Sequence, residues 1–474
     1  MEPWDGFIGG SYLSPYANVS VEDLINRYPE VTASPGTRAR APLILRRTPG
    51  LVLFATAGNG PLRTMFYQDG RCFCVSGSEF YEISAAGTAT LIGTVATNAN
   101  PAQISSNGTA GNQLRIISGG LGYTYNRSTS TFAQITDAQF PSNVVMGGFI
   151  DTYFIVLAYD TRSVQWSTSE DGTNWSATDV FEKSQTSDNI RAMIIDRRLV
   201  YLLGSKTTEV WGNTGDTNQT FAPVQDIIQH GIGSPWSAVP INNTIAWLGE
   251  DEHGAGQAWA IQGFTPTRFS NDAVEARWRA YGSLRSAYAH GYTEEGHSFY
   301  QVTFPQKATW VYDFATGMWH QRLRLVEGEF EPHLARCHAW AFDMHLVGSR
   351  VDGKIYQQSL DVYDDAGDPI RWVRRSPHLF GRKPITVNAF RLQCSTGIGL
   401  TTGQGSDPQY MFRYSIDKGN TWSDELQESP GAIGEYDTIV QWNRLGQAED
   451  GWVFEVAGSE PINDVLIGAD LDIS

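Results

Sequence analysis

The chain is 474 residues long, and 51 Asp and Glu against 34 Lys and Arg give it a formal net charge of −17. With 41% hydrophobic and 12% aromatic residues, irregularly placed glycine and four cysteines, it falls outside the disordered, collagenous and disulfide-scaffold classes. No run approaches the roughly 18 apolar residues of a membrane helix, and the opening Met1-Glu-Pro-Trp-Asp5 has neither the basic nor the apolar part of a signal peptide. The expectation is a soluble, acidic protein made in a cytosol.

Residues 1–50 carry Pro15, Pro29, Pro35, Pro42 and Pro49 and read as an extended, proline-punctuated arm. No acid occurs between Glu30 and Asp69, while Arg38, Arg40, Arg46, Arg47 and Arg63 do, so this stretch is basic. Arginine binds carboxylates in a planar fork and is enriched at protein interfaces. Arg38, Arg40, Arg46 and Arg47 are therefore candidate contacts to a neighbouring subunit or an adaptor, against the alternative that they pack within their own chain.

Residues 51–381 are organised by a repeat. Apolar, β-type runs begin at Arg71, Gln113, Thr152, Arg198, Thr244, His297 and Met344, at spacings of 42, 39, 46, 46, 53 and 47 residues. Each is followed by a turn and a second, usually aromatic strand. A period of about 40–50 residues with several strands per unit predicts a β-propeller of six or seven blades. The 53-residue step holds Asn271-DAVEARWRAYG, read as a short helix between units. Asp69-Gly70 and Asp352-Gly353 read as two-residue hairpin turns, and Val311–Trp319 (VYDFATGMW) as a kelch-like strand–turn–strand. Cys72 and Cys74 lie two apart on one strand and so share a core face rather than forming a redox pair. Glu250, Asp251, Glu252 and His253 form the densest polar run and read as a solvated turn, and His333, Cys337, His338 and His345 fit no zinc-ligand spacing.

Residues 382–474 abandon the period for five or six alternating strands, a β-sandwich-like domain, so that the whole is all-β. Within it Ser415, Asp417, Gly419, Thr421 and Trp422 match the S-x-D-x-G-x-T-W Asp-box, a hairpin in which the aspartate caps turn amides and the glycine takes positive φ. A looser copy is Ser169-Glu-Asp171-Gly-Thr173-Asn-Trp175. Asp-boxes occur in sialidases but are structural hairpins away from the chemistry. From Glu435 to Ser474 nine acids face Arg444 alone, making the end of the chain strongly acidic. No phosphate loop, nucleophile elbow, H-E-x-x-H motif or carboxylate pair is picked out by spacing, so neither an enzyme nor a cofactor is expected.

Several segments, in order, resemble the packaged-DNA stabilisation proteins of short-tailed bacteriophages, also called tail hub or nozzle proteins. They are NRYPE and LRRTPGL; IIDRRLVYLLGSKTTEVWGNTG; WLGEDEHGAGQAW with GFTPTRFSNDAVEA; GHSFYQVTFPQKATWVYDFATGMWHQR; and FRYSIDKGNTWSDE, GEYDTIVQWNRLG and DVLIGADLDI. The resemblance implies a structural protein of the virion tail, assembled in the host cytoplasm as a ring of six copies. Such a ring extends the tail channel below portal and head–tail adaptor, retains packaged DNA and lets it pass on ejection. It also implies contacts with tail fibre or spike and with needle or plug, and offers no catalytic residues. A channel for sliding DNA is expected to be acidic, because arginine walls would bind phosphate. The alternative is a carbohydrate-binding or glycan-cleaving propeller.

Overall fold

The computed structural model describes residues 1–32, 41–216, 218–225, 227–251 and 253–474. Seven four-stranded antiparallel units follow one another along the chain and form a β-propeller. Blades one to six span 62–94, 103–134, 144–182, 190–223, 239–268 and 288–321. Blade seven takes Ala335–Ala341, Met344–Ser349 and Lys354–Ser359, and its outer strand is Gly50–Thr56 from the other end of the chain. That exchange closes the circle and settles the six-or-seven alternative at seven.

The runs read from the sequence are the second strands of the blades, and the aromatic runs after them the third strands. Both have neighbours on either side and are buried on both faces, as in Leu199–Gly204 and Thr208–Asn213. Outer strands such as Ala89–Thr94 and Thr265–Arg268 are mostly exposed or half-buried and carry little apolar signal. The expected helix forms at Asp272–Ala280 between blades five and six, with Asn271 accepting the Val274 N–H at 3.0 Å as its N-cap.

Asp69-Gly70 is the expected tight turn, with φ of 53° and 76°. Asp352-Gly353 is not: it lies in the loop 350–353, outside the left-handed region. There a Cβ on Gly353 would stand 2.2 Å from the Gly58 carbonyl, so glycine serves close approach of the closing strand rather than a turn.

The first fifty residues differ from the expected arm. Glu2–Pro3 pairs with Leu466–Ile473 at the C-terminus, Val21–Ile25 with Trp372–Arg375, and the hairpin Arg27–Val31/Leu43–Arg47 also joins Leu466–Ile473. Pro29 is accommodated because Arg27–Val31 is an edge strand. One sheet of the C-terminal sandwich is thus Arg27–Val31, Leu43–Arg47, Leu466–Ile473, Ile385–Cys394 and Val440–Ala448. The other runs from blade six through Val21–Ile25, Trp372–Arg375, Val453–Gly458 and Tyr410–Ser415 to Leu426–Glu428. Between them lies an aromatic core in which Phe412 stacks on Trp442 (4.6 Å) and tilts against Phe390 (4.9 Å).

Candidate assembly site

The arginines singled out by charge fall in different environments. Arg38 and Arg40 lie outside the described residues. Arg47 is 5% exposed and donates to the carbonyls of Glu460 (2.5 Å), Ile462 (2.7 Å) and Ile370 (3.3 Å), with Asp464 Oδ1 3.7 Å away. Burial presses its guanidinium below the ordinary range, and Asp464 offsets part of that. The fully buried Arg27 donates to the same Asp464 carboxylate and stacks 3.9 Å over Trp372, while Tyr410 donates its hydroxyl to Asp464 at 2.6 Å. Two arginines and a tyrosine therefore hold one buried carboxylate where the first fifty residues meet the sandwich. The sequence gives no sign of Asp464, Arg27's partner across more than 400 residues. Arg46, 30% exposed, reaches outward to Glu30 (3.4 Å) and to Glu295 of blade six.

Arg46 stands beside the seam between blades six and seven, which differs chemically from the others. Every other seam is closed by an apolar cluster, as where Phe73 and Phe80 of blade one meet Tyr123 and Tyr125 of blade two. Here six of the nine histidines gather: His290, His297, His320, His333, His338 and His345. The register His290–Gln301–Val311–His320 puts these side chains in one row across blade six. From blade seven, His338 approaches His290 (ring centroids 6.2 Å) and Tyr292 (5.8 Å), and its Nε2 lies 2.9 Å from His345 Nδ1. Arg322 crosses to Gln358 at 2.6 Å.

Both ring nitrogens of His290, His320 Nδ1, His333 Nε2 and both amide atoms of Gln301 are buried without a hydrogen bond, with Asp365 Oδ1 3.9 Å from His333 Nε2. Burial consequently pushes His290 and His320 down to about 3, and His333 and His338 well below the usual imidazole range. Burial also lifts Glu294 to about 7 and Asp365 to about 6. His297 is the exception: Asp313 (2.8 Å) and Glu30 (3.0 Å) flank it and raise it, tying the hairpin of the first fifty residues to blade six. The crowding of histidines between 290 and 345 was the available sequence signal for this seam.

Along the propeller axis, the first strands of the blades contribute the buried side chains of Met65, Met146, Met193, Tyr288 and His290, and the Met193 N–H points at Met146 Sδ (3.3 Å). With other residues of the first strands they line a cavity of about 250 Å³ at the axis.

The Asp-box forms as spelled. Asp417 accepts from the Thr421 amide (2.8 Å) and hydroxyl (2.6 Å) and from Ser415 Oγ (2.7 Å), and Gly419 has φ of 89°. The Thr421 hydrogen bonds chiefly hold its carboxyl down at about 2. The guanidiniums of Arg375 and Arg413 each stand 4.9 Å from the Trp422 ring, and both arginines are fixed by the buried Glu455. In the looser copy Asp171 accepts from Thr173 N–H at 2.9 Å and Trp175 is buried. Asp313 caps its own turn through the Ala315 N–H (2.9 Å), and Trp319 stacks on Phe269, the residue after blade five. Asp251 likewise caps its turn through His253 and Ala255, and Glu250 pairs with Arg191 (3.3 Å); Glu252 lies outside the described residues. Cys72 and Cys74 are both buried in the core, and burial lifts the Cys72 thiol to about 12.

Comparison with known proteins gives two family matches in chain order. The profile described as "Bacteriophage P22 Gp10, beta-propeller" matches residues 17–363, and "Bacteriophage P22 Gp10, beta-sandwich" matches residues 371–474. No curated protein sequence matches. Among solved structures, the chain is similar to the Neurospora crassa Pan2 WD40 domain, at 11% identity and a TM-score of 0.41 over 63% of this chain and 89% of that one. It is also similar to the computationally designed Ika8 protein, at 10% identity and a TM-score of 0.41 over 65% and 99%. A third is virginiamycin B lyase from Staphylococcus aureus, at 9% identity and a TM-score of 0.41 over 63% and 94%.

Proposed function

The chain belongs to the bacteriophage P22 Gp10 family of packaged-DNA stabilisation proteins, and on that premise we propose that it forms a ring, six copies to the turn, in the virion tail. The ring extends the tail channel below portal and adaptor, retains the packaged genome and lets it through on ejection, with fibre or spike and needle or plug docked on it. The observation that carries this reading is the paired match: propeller and sandwich of one structural phage family, in order, over residues 17–363 and 371–474. The role is non-catalytic.

DNA passes between copies in this reading, not through one, because the cavity of about 250 Å³ at the propeller axis, lined by Met65, Met146 and Met193, is too small for a duplex. The lumen so bounded is acidic, in keeping with a chain of net charge −17. Arg46 is the described arm arginine with exposure to offer a neighbour, and Arg38 and Arg40 belong to the same proposed contact set. Arg47 supports that contact from behind, by fixing the hairpin that carries Arg46.

Mass photometry and electron microscopy of the purified chain, alone and on adaptor rings, test this. The expected species has six times the 52.4 kDa mass of one chain. A chain that stays monomeric under both conditions overturns the reading.

A further inference from the structure

The sandwich ends in a surface unlike the rest. The loop 429–439 packs on the loop 396–406, with Thr396 donating to the Tyr436 carbonyl (2.7 Å) and Gly434 to that of Gly397 (3.0 Å). Together they present Leu400 (39% exposed), Ile433 (57%), Tyr436 (71%) and Ile439 (55%) to solvent. In the same stretch of chain Asp424, Glu425, Glu428, Glu435 and Asp437 are exposed, and no lysine or arginine occurs between 419 and 443. Among the described residues only Glu425 of these acids is ion-paired, to Arg371 (3.0 Å). Apolar side chains this exposed in one patch, rimmed by charge of one sign, mark a docking face.

A complementary surface lies on the same chain. The helix Asp272–Ala280 ends in Arg277 and Arg279, and Arg285 follows just beyond. Tyr281, the residue after the helix, packs on Phe304 (5.2 Å) and so sets Lys307 of the next turn at the same shoulder. All four cations are exposed and, among the described residues, none is ion-paired; the helix's Asp272 is engaged at its other end by Arg268 (2.8 Å). Among the described residues no ion pair joins the two surfaces within one chain. Five strand-to-strand steps separate Met318–Gln321 of blade six from Leu426–Glu428, about 24 Å at the spacing of paired strands.

We propose that the acid-rimmed apolar patch of one copy docks on the Arg277–Arg279–Arg285–Lys307 shoulder of the next copy. This rests on the ring reading above and names the faces that build it. A ring contact is heterologous, two different patches of one chain meeting head to tail, and these are such a pair. The exposed charges set orientation and partner choice, while Ile433, Tyr436 and Ile439 supply the buried area.

The test uses the full chain in three variants: Glu435→Lys with Asp437→Lys, Arg277→Glu with Arg279→Glu, and all four together. Thermal melting confirms that each is folded, and mass photometry counts rings, on adaptor if the wild type needs it. Either pair of reversals should cut ring formation about tenfold or more, the fourfold swap should restore it, and Tyr436→Ala should weaken it at all salt concentrations. Wild-type ring yield from either reversal, or a folded fourfold swap that forms no rings, overturns the docking while leaving the ring reading intact. A wild type that forms no ring overturns both.

Discussion

Asp464 is a carboxylate without solvent, held by the guanidiniums of Arg27 and Arg47 and by the Tyr410 hydroxyl. Removing one member leaves charge buried with too few partners, which costs far more than an intact pair contributes. Arg27→Met is expected to lower stability by about 3–5 kcal/mol in urea unfolding. Arg46→Ala, whose ion pairs face water, is expected to cost under about 1 kcal/mol. Equal costs would show that the Asp464 site is not the anchor of the first fifty residues. The contrast also explains why charge counting singled out both arginines alike: Arg46 and Arg47 are neighbours in sequence, but adjacent strand residues face opposite sides, one toward solvent and one toward the sandwich.

At the scale of elements, the seam between blades six and seven is expected to be the acid-labile joint of the propeller. A histidine held neutral by burial adds stability that is complete above about pH 6.5, its unfolded value, and is lost as pH falls toward the folded value, about 3 for His290 and His320. Each such histidine costs about 1.4 kcal/mol per pH unit in that window. Glu294 and Asp365 act in the opposite sense, since their raised values give stability that is full in acid and lost as pH rises toward 7 and 6. His290, His320, His333, His338 and His345 are all lowered, and the stability these five lose in acid is offset only in part by Glu294, Asp365 and the raised His297. Hydrogen exchange at pH 4 is expected to show Tyr288–Glu294 and Ala335–Ala341 losing protection before the strands of blades two to four; simultaneous loss would refute this. A second prediction concerns the closing strand. Leu51, fully buried, belongs to the one strand of blade seven that comes from the far end of the chain, and Leu51→Ala should cost about 2–5 kcal/mol by urea unfolding. An effect below 1 kcal/mol would mean the closure holds by other contacts.

For the whole molecule, the first fifty residues are shared property. Val21–Ile25 links blade six to one sandwich sheet, and Leu43–Arg47 completes the other. A fragment of residues 371–474 alone therefore lacks strands from both sheets and is expected to unfold without cooperativity. Linking residue 474 to residues 1–48 should restore a cooperative transition, since Glu2 already pairs with Leu471. Cooperative unfolding of the bare fragment by calorimetry would contradict the shared-strand account.

What the sequence by itself determined was everything whose cause lies within a few residues. Second and third blade strands are buried on both faces, so the central residues Cys72–Val75 or Val200–Leu203 must be apolar, and their recurrence spells a propeller. The Asp-box closes through hydrogen bonds among Ser415, Asp417 and Thr421, within seven residues, and was equally legible. Only the tertiary structure decided that Gly50–Thr56 closes blade seven, that Arg27 and Arg47 meet Asp464, and that histidines from two blades share one seam. Those contacts join residues up to 437 positions apart. Their selection depends on what the assembled sheets bury and on which charges find partners there, and neither quantity exists until the sheets have met.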